Sequence, residues 1–307
     1  MTVAAVRAWL WSGVLIVLAS AAAARADPAP GAPPPAAEAA AGNSGPVTRF
    51  FRDGEWYASW GYSRDFWAPT DIHVSQPALG NNFTIHAVQG HDDPVAIFAS
   101  GLSDLFGPQY NIRVGRFINP QRTIAIEFNF DHTKYNSTLG QTAQIDGVIG
   151  GAPVNGPFVL DDKIFDYALN NGANHVMFNV VYRQPLIGRV NESLSLAAIA
   201  KVGLGAMVPH TSNIVLGNPV DVGPKSLSNL IGFNHGWWQL GGWTVGTEFG
   251  LRATLLKPLY IEVTDKVAYA DLTRVPVFDG ALHHGLWLDE AIVSIGLTFD
   301  GTHRRRR

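Results

Sequence analysis

Residues 291–299 constrain this chain more than any other stretch. Val293, Ile295, Leu297 and Phe299 fall on one face of an extended strand, and Ser294, Gly296 and Thr298 fall on the other. One aliphatic face, one small polar face and an aromatic at the end suit a sheet that closes on itself with its apolar side against lipid. The reading assigns a solvent: one face of the sheet meets hydrocarbon.

The N-terminus is consistent with export. Arg7 supplies a positive charge, residues 10–23 an apolar core, and Ala24, Arg25 and Ala26 an A-x-A cleavage pattern, so residues 1–26 read as a signal peptide. Its loss removes Arg7 and Arg25, two positive charges, and takes the formal net charge from −3 to −5. Residues 27–49 are rich in alanine and proline and read as a periplasmic linker without a core. Residues 50–300 remain for the domain, and residues 301–307 form a basic tail. A mildly acidic chain whose basic run is Arg304 to Arg307 points away from nucleic acid. With no cysteine, burial and hydrogen bonding must hold the fold.

Eight segments alternate with period two: 56–66, 110–117, 122–131, 175–183, 194–205, 238–255, 259–268 and 286–299. Ile124, Ile126, Phe128 and Phe130 alternate with Ala125, Glu127, Asn129 and Asp131. The connections 118–121, 185–193 and 256–258 are short, whereas 67–109, 132–174, 206–237 and 269–285 are long. Strict alternation of short and long connections is the asymmetry of periplasmic turns and extracellular loops. The expected fold is therefore all-β, an antiparallel up-and-down transmembrane β-barrel of eight strands, or ten if 71–75 and 83–88 join it. Arg113, Glu127, Asp131, Lys201, Glu248, Arg252, Glu262 and Lys266 share the polar parity and are expected to pair inside.

The histidines before the tail fall in, or beside, the long connections. Asp71 and His73 lie two apart on one strand face, as do Thr84 and His86, and His91 and Asp92 follow in a turn. Asp71, His73, His86, His91 and Asp92 make a mixed imidazole and carboxylate set of the kind that holds zinc, iron or copper. Asp71, His73, His86 and His132 are the candidate catalytic residues, and a solvated loop without metal is the plain alternative.

Residues 56–64, 70–73, 82–88, 110–115 and 130–135 together resemble a family of small Gram-negative outer-membrane β-barrel proteins. The region of Asp131 and His132 is similar, more distantly, to lipid A oxidases of the outer membrane. The first resemblance implies an outer-membrane location, biogenesis through the barrel-assembly machinery and contact with lipopolysaccharide. The chain departs from the family in running past Phe299 to Arg307, where an aromatic usually ends the assembly signal.

Three functions follow as expectations. One is an outer-membrane barrel whose His/Asp-rich extracellular loops bind lipopolysaccharide or surface ligands. The second is a metal-dependent enzyme modifying lipid A at the outer leaflet. The third is a soluble exported carrier with a hydrophobic ligand inside.

Overall fold

The computed structural model describes residues 54–93, 109–190, 192–220 and 238–300, with backbone alone at Asn170, Asn171 and Asp300. The expected signal peptide, the linker at 27–49 and the basic tail at 301–307 lie outside the described residues.

Each of the eight alternating segments becomes a strand over most of its length, with 122–123, 194 and 238–241 left outside. In chain order the strands are β1 (Glu55–Trp67), β2 (Thr70–Gln76), β3 (Asn81–Val88), β4 (Gly90–His91), β5 (Tyr110–Phe117), β6 (Ile124–Ser137), β7 (Thr142–Ile149) and β8 (Ala152–Val159). They continue as β9 (Phe165–Ile187), β10 (Ser195–Pro209), β11 (Ser212–Val215), β12 (Asn218–Pro219), β13 (Gly242–Leu256), β14 (Leu259–Val277) and β15 (Gly280–Asp300). The described helical structure is one 3-10 turn, Pro77–Leu79. No helix among the described residues is long and apolar enough to cross a membrane.

Eight strands close a ring in the order β1, β5, β6, β9, β10, β13, β14, β15, all antiparallel, with β15 returning to β1 in unbroken register from Glu55↔Asp300 to Trp67↔Leu288. Beyond the ring the sheet runs on. Ala281, Leu282 and His283 at the far end of β15 pair with β2, and β3, β7 and β8 follow. β4 joins β6, while β11 joins β9 and carries β12.

The expectation of eight strands, or ten, is thereby corrected: the sheet has fifteen. The reason is local and physical. The connections at 67–109, 132–174 and 206–237 contain alternating apolar residues of their own, such as Ile72, Val74, Phe83 and Ile85, which stay out of water only by extending the sheet.

The inward face stays buried throughout, but which face carries the apolar residues changes along the strands. At the end bearing the short turns, called lower here, Ile126 (41% exposed), Phe128, Val263, Val293, Ile295 and Leu297 point outward. Glu127 (0%), Arg113, Lys201, Glu248, Arg252 and Glu262 point into the ring. Above Trp243, Tyr269 and Trp287, whose rings contact in a row at centroid distances of 5.7 and 5.2 Å, the pattern reverses. There β14 and β15 bury Leu272, Val275, Leu282 and Leu286, and they expose Thr273, Arg274 and His283. The upper interior is a hydrocarbon core of Ile72, Val74, Phe83, Ile85, Tyr135, Phe165, Tyr167 and Leu282. One set of strands thus carries an apolar outside below and an apolar inside above.

Candidate functional site

The upper sheet gathers the histidines that the sequence singled out. β2 and β3 pair with an irregularity between Thr70 and Ile72, so that Asp71 faces both His86 and Ala87. Asp71 uses this slack: one carboxylate oxygen accepts the Ala87 N–H at 2.9 Å and the other lies 3.1 Å from His86 Nδ1. Ala87 itself sits at φ 52°, a left-handed conformation unfavourable for a residue with a Cβ. The carboxylate therefore pins a strained bulge.

The second nitrogen of His86, Nε2, meets the carboxylate of Asp146 on β7. Both ring nitrogens thus face groups that only accept hydrogen bonds, so the ring serves best as an imidazolium. Its pKa is accordingly raised, chiefly by Asp146 and then by Asp71. Asp71 is held below the usual carboxylate range, first by the Ala87 amide and also by His86.

The other candidates have separate partners. His73 Nδ1 lies 3.1 Å from the Thr84 hydroxyl, and His73 stands directly across from His283 on β15. His283 Nε2 lies 2.8 Å from Asp271. His91 donates through Nδ1 to the Asp92 carbonyl at 2.7 Å. Asp92 accepts from Arg64 Nε at 2.7 Å and from the Asp65 amide at 3.2 Å. His132 is bound at Nδ1 by the Asn174 side chain at 2.7 Å and stacks on Tyr110 at 4.9 Å. The structure brings Asp71 and His86 together and leaves His73, His91, Asp92 and His132 on contacts of their own.

These contacts overturn the expected metal centre. Among the described residues, no group of three or more His, Cys, Asp or Glu is placed to hold a metal ion. Zinc, iron or copper on Asp71, His73, His86, His91 and Asp92 is therefore not supported, and neither is the metal-dependent lipid A-modifying enzyme that such a centre would serve. The physical reason lies in the lone pairs: an imidazolium between two carboxylates has none to give, and Asp92 is occupied by a guanidinium.

Asp146 and Asp271 were not singled out from the sequence. The signal for Asp146 was nonetheless present, because Gln144 and Asp146 alternate with the buried Ala143 and Ile145 within a stretch read as loop. Also missed was a buried cluster in the upper core, where the Tyr167 hydroxyl lies 2.8 Å from His284 Nε2 and the Tyr135 ring packs on both. Burial, followed by the neighbouring His283, pushes His284 down to about 3.

The lower interior is filled by charge. Lys201 Nζ lies 2.8 Å from Glu262, 2.9 Å from Glu248 and 3.4 Å from Glu127. Arg252 holds the far oxygen of Glu262 at 2.7 Å and lies over the rings of Tyr57 and Tyr260. Tyr57 donates to Glu127 at 2.9 Å. Higher up, Asp131 receives Arg113 and Lys266, and Asn111 donates to Glu290 at 2.6 Å. Every charge of the expected interior set is buried and has an opposite partner. Packed in this way, the ring holds side chains where a channel or a hydrophobic ligand would have to be.

No family model matches the chain, and no curated protein matches it. Among solved structures it is similar to several small outer-membrane proteins. One is the attachment invasion locus protein Ail of Yersinia pestis (12% identity, 80% of this chain and 99% of that one, TM-score 0.28). Others are surface protein A of Neisseria (9%, 80% and 100%, TM-score 0.34) and OprG of Pseudomonas aeruginosa (10%, 81% and 97%, TM-score 0.35). Nothing in these comparisons links the chain to lipid A oxidases. At such identities and TM-scores the likeness says nothing about what the chain binds.

Proposed function

We propose that this is an integral outer-membrane protein that holds a water-exposed β-sheet above the bilayer, with its interior closed to solutes. The observation that carries this reading is the reversal of polarity along single strands. β15 turns Val293, Ile295 and Leu297 outward below Trp287, and it buries Leu282 and Leu286 above it. A fully soluble protein has no use for the lower pattern, because carboxylates and lysines placed inside with aliphatics outside are costly in water. A protein wholly in lipid has no use for the upper one. Tryptophan and tyrosine at the changeover match the preference of these rings for a membrane interface.

The signal-like N-terminus supports export, and the strands support assembly in the outer membrane by the machinery that inserts such proteins. For a partner we favour lipopolysaccharide or another surface ligand, met by the outward face of β2, β3 and β7. That face stands just above the aromatic row and carries His86 between Asp71 and Asp146. The soluble-carrier alternative loses its basis, since the ring centre is ionic where a greasy ligand would need an apolar lining.

Insertion into vesicles tests the reading. The refolded chain should float with lipid, migrate differently on gels when heated, and show tryptophan quenching by lipids brominated near the headgroup. A chain that stays monomeric and folded without detergent or lipid overturns the membrane assignment. Retention of lipopolysaccharide through washing, reduced by His86→Ala, tests the partner.

A further inference from the structure

Three charged groups on the outward apolar face of the ring, on β1, β14 and β15, lie together. In the strand register Arg64 on β1 is opposite Ala291 on β15, which is opposite Asp265 on β14. One step along, Phe66 is opposite Asp289, which is opposite Val267. Arg64, Asp265 and Asp289 all have outward parity, and the Arg64 side chain is 56% exposed. Asp265 and Asp289 stand diagonally across β14 and β15, their carboxyls within hydrogen-bonding reach of each other. Below them lie Val263, Val293 and Ile295, and just above lie Tyr269 and Trp287. Charged side chains on a lipid-facing strand surface are destabilising unless something answers them. Among the described residues, the cation of this patch is Arg64, and Asp92 holds it from its own molecule.

We propose that a second copy of this chain covers the patch, each Arg64 reaching the Asp265–Asp289 pair of the other. The inference rests on the membrane reading above and adds a partner to it. Symmetry is the argument. Two copies inserted in the same direction are related by a two-fold axis along the membrane normal, and such an axis makes the contact self-complementary. Placed beside β15, the axis sets β15 against β15 and β1 of each copy against β14 of the other. The cation column then meets the anion column on both sides of the contact. Ala291 lies between them, small and exposed, where the two walls come closest.

The full chain has no cysteine, so Ala291→Cys introduces a single thiol at the centre of the contact. Val180→Cys on β9, four strands from β15 in either direction around the ring, is the control. Flotation with phosphatidylcholine vesicles comes first, and failure to float counts against the membrane reading itself. With inserted protein and a short bifunctional thiosulfonate, residue 291 should give about tenfold more linked dimer than residue 180. Adding Arg64→Glu to Ala291→Cys should abolish the excess, and a further Asp289→Arg should restore it. Arg64→Gln, a milder change, should lower it. Inserted protein that links no better through 291 than through 180, or whose yield ignores Arg64, overturns the proposal. A lipid amine or a divalent cation occupying the carboxyls would give that result.

Discussion

The Tyr167 hydroxyl and His284 Nε2 meet at 2.8 Å in the middle of the upper apolar core, joining β9 to β15 across 117 residues of chain. Neither ring has access to water. The hydrogen bond pairs the hydroxyl with one ring nitrogen among Leu272, Leu282 and Leu286, so those two atoms escape the cost of burial without a partner.

That burial makes the upper core sensitive to acid. His284 takes a proton near 6.5 when unfolded and only near 3 when folded, so between those values the unfolded chain binds more protons. Stability of the upper sheet should therefore fall as pH drops from about 6.5 towards 3. Amide exchange of β9 and β15 residues measured against pH should show the slope, and His284→Leu should flatten it.

The His86 clasp should respond in both directions. A histidine whose folded pKa is raised stabilises fully below its unfolded value, and the benefit disappears as pH rises through the folded one. Asp71, lowered when folded, contributes above its ordinary 3.8, and its share is lost as pH falls through the folded value. The β2–β3–β7 contacts should thus be tightest between the two. Titration of the His86 ring by NMR should give a pKa above 6.5, falling towards 6.5 in Asp146→Asn. A wild-type value at or below 6.5 would mean that the ring is not held between two carboxylates.

In the lower interior, removing one partner should cost more than removing two. Glu262→Ala leaves both Lys201 and Arg252 short of a carboxylate, and about 3–5 kcal/mol of stability should be lost. Glu262→Met combined with Arg252→Met should cost less than the single change, because Lys201 keeps Glu248 and Glu127 and no charge is left unanswered. Tyr57→Phe removes one donor from buried Glu127 and should cost about 1–3 kcal/mol. Reversible urea unfolding from vesicles would read all three.

Position along the strand should decide what an outward charge does. Val293→Arg lies in the lower band and should destabilise by about 2–4 kcal/mol, the cost of arginine facing bilayer hydrocarbon. Val159→Arg is about as exposed but lies at the end of β8 in the upper sheet, and it should change stability by about 0.5 kcal/mol or less. Equal effects at the two sites would remove the case for two solvents.

Much of the ring is legible in the sequence. Alternation in β1, β5, β6, β14 and β15 identified those strands, and parity alone placed Glu127 and Glu262 on the opposite face from Ile126 and Leu297. Side-chain direction in a strand is local, with period two, so the chain carries it openly. The interior charge set followed from the same parity.

The number of strands and the partners of the histidines were not legible in that way. Strands β2, β3, β7 and β8 are short, lie inside long connections, and exist because the upper end of β15 offers an edge to extend. Asp146 reaches His86 across 60 residues, and Asp271 reaches His283 from the neighbouring strand. The sequence by itself determined which side chains share a face and that one face must leave water. Only the tertiary structure decided where along each strand that face changes over, and which carboxylate claims which imidazole. Such contacts are set by register between distant segments, and register is a property of the closed sheet, not of any one strand.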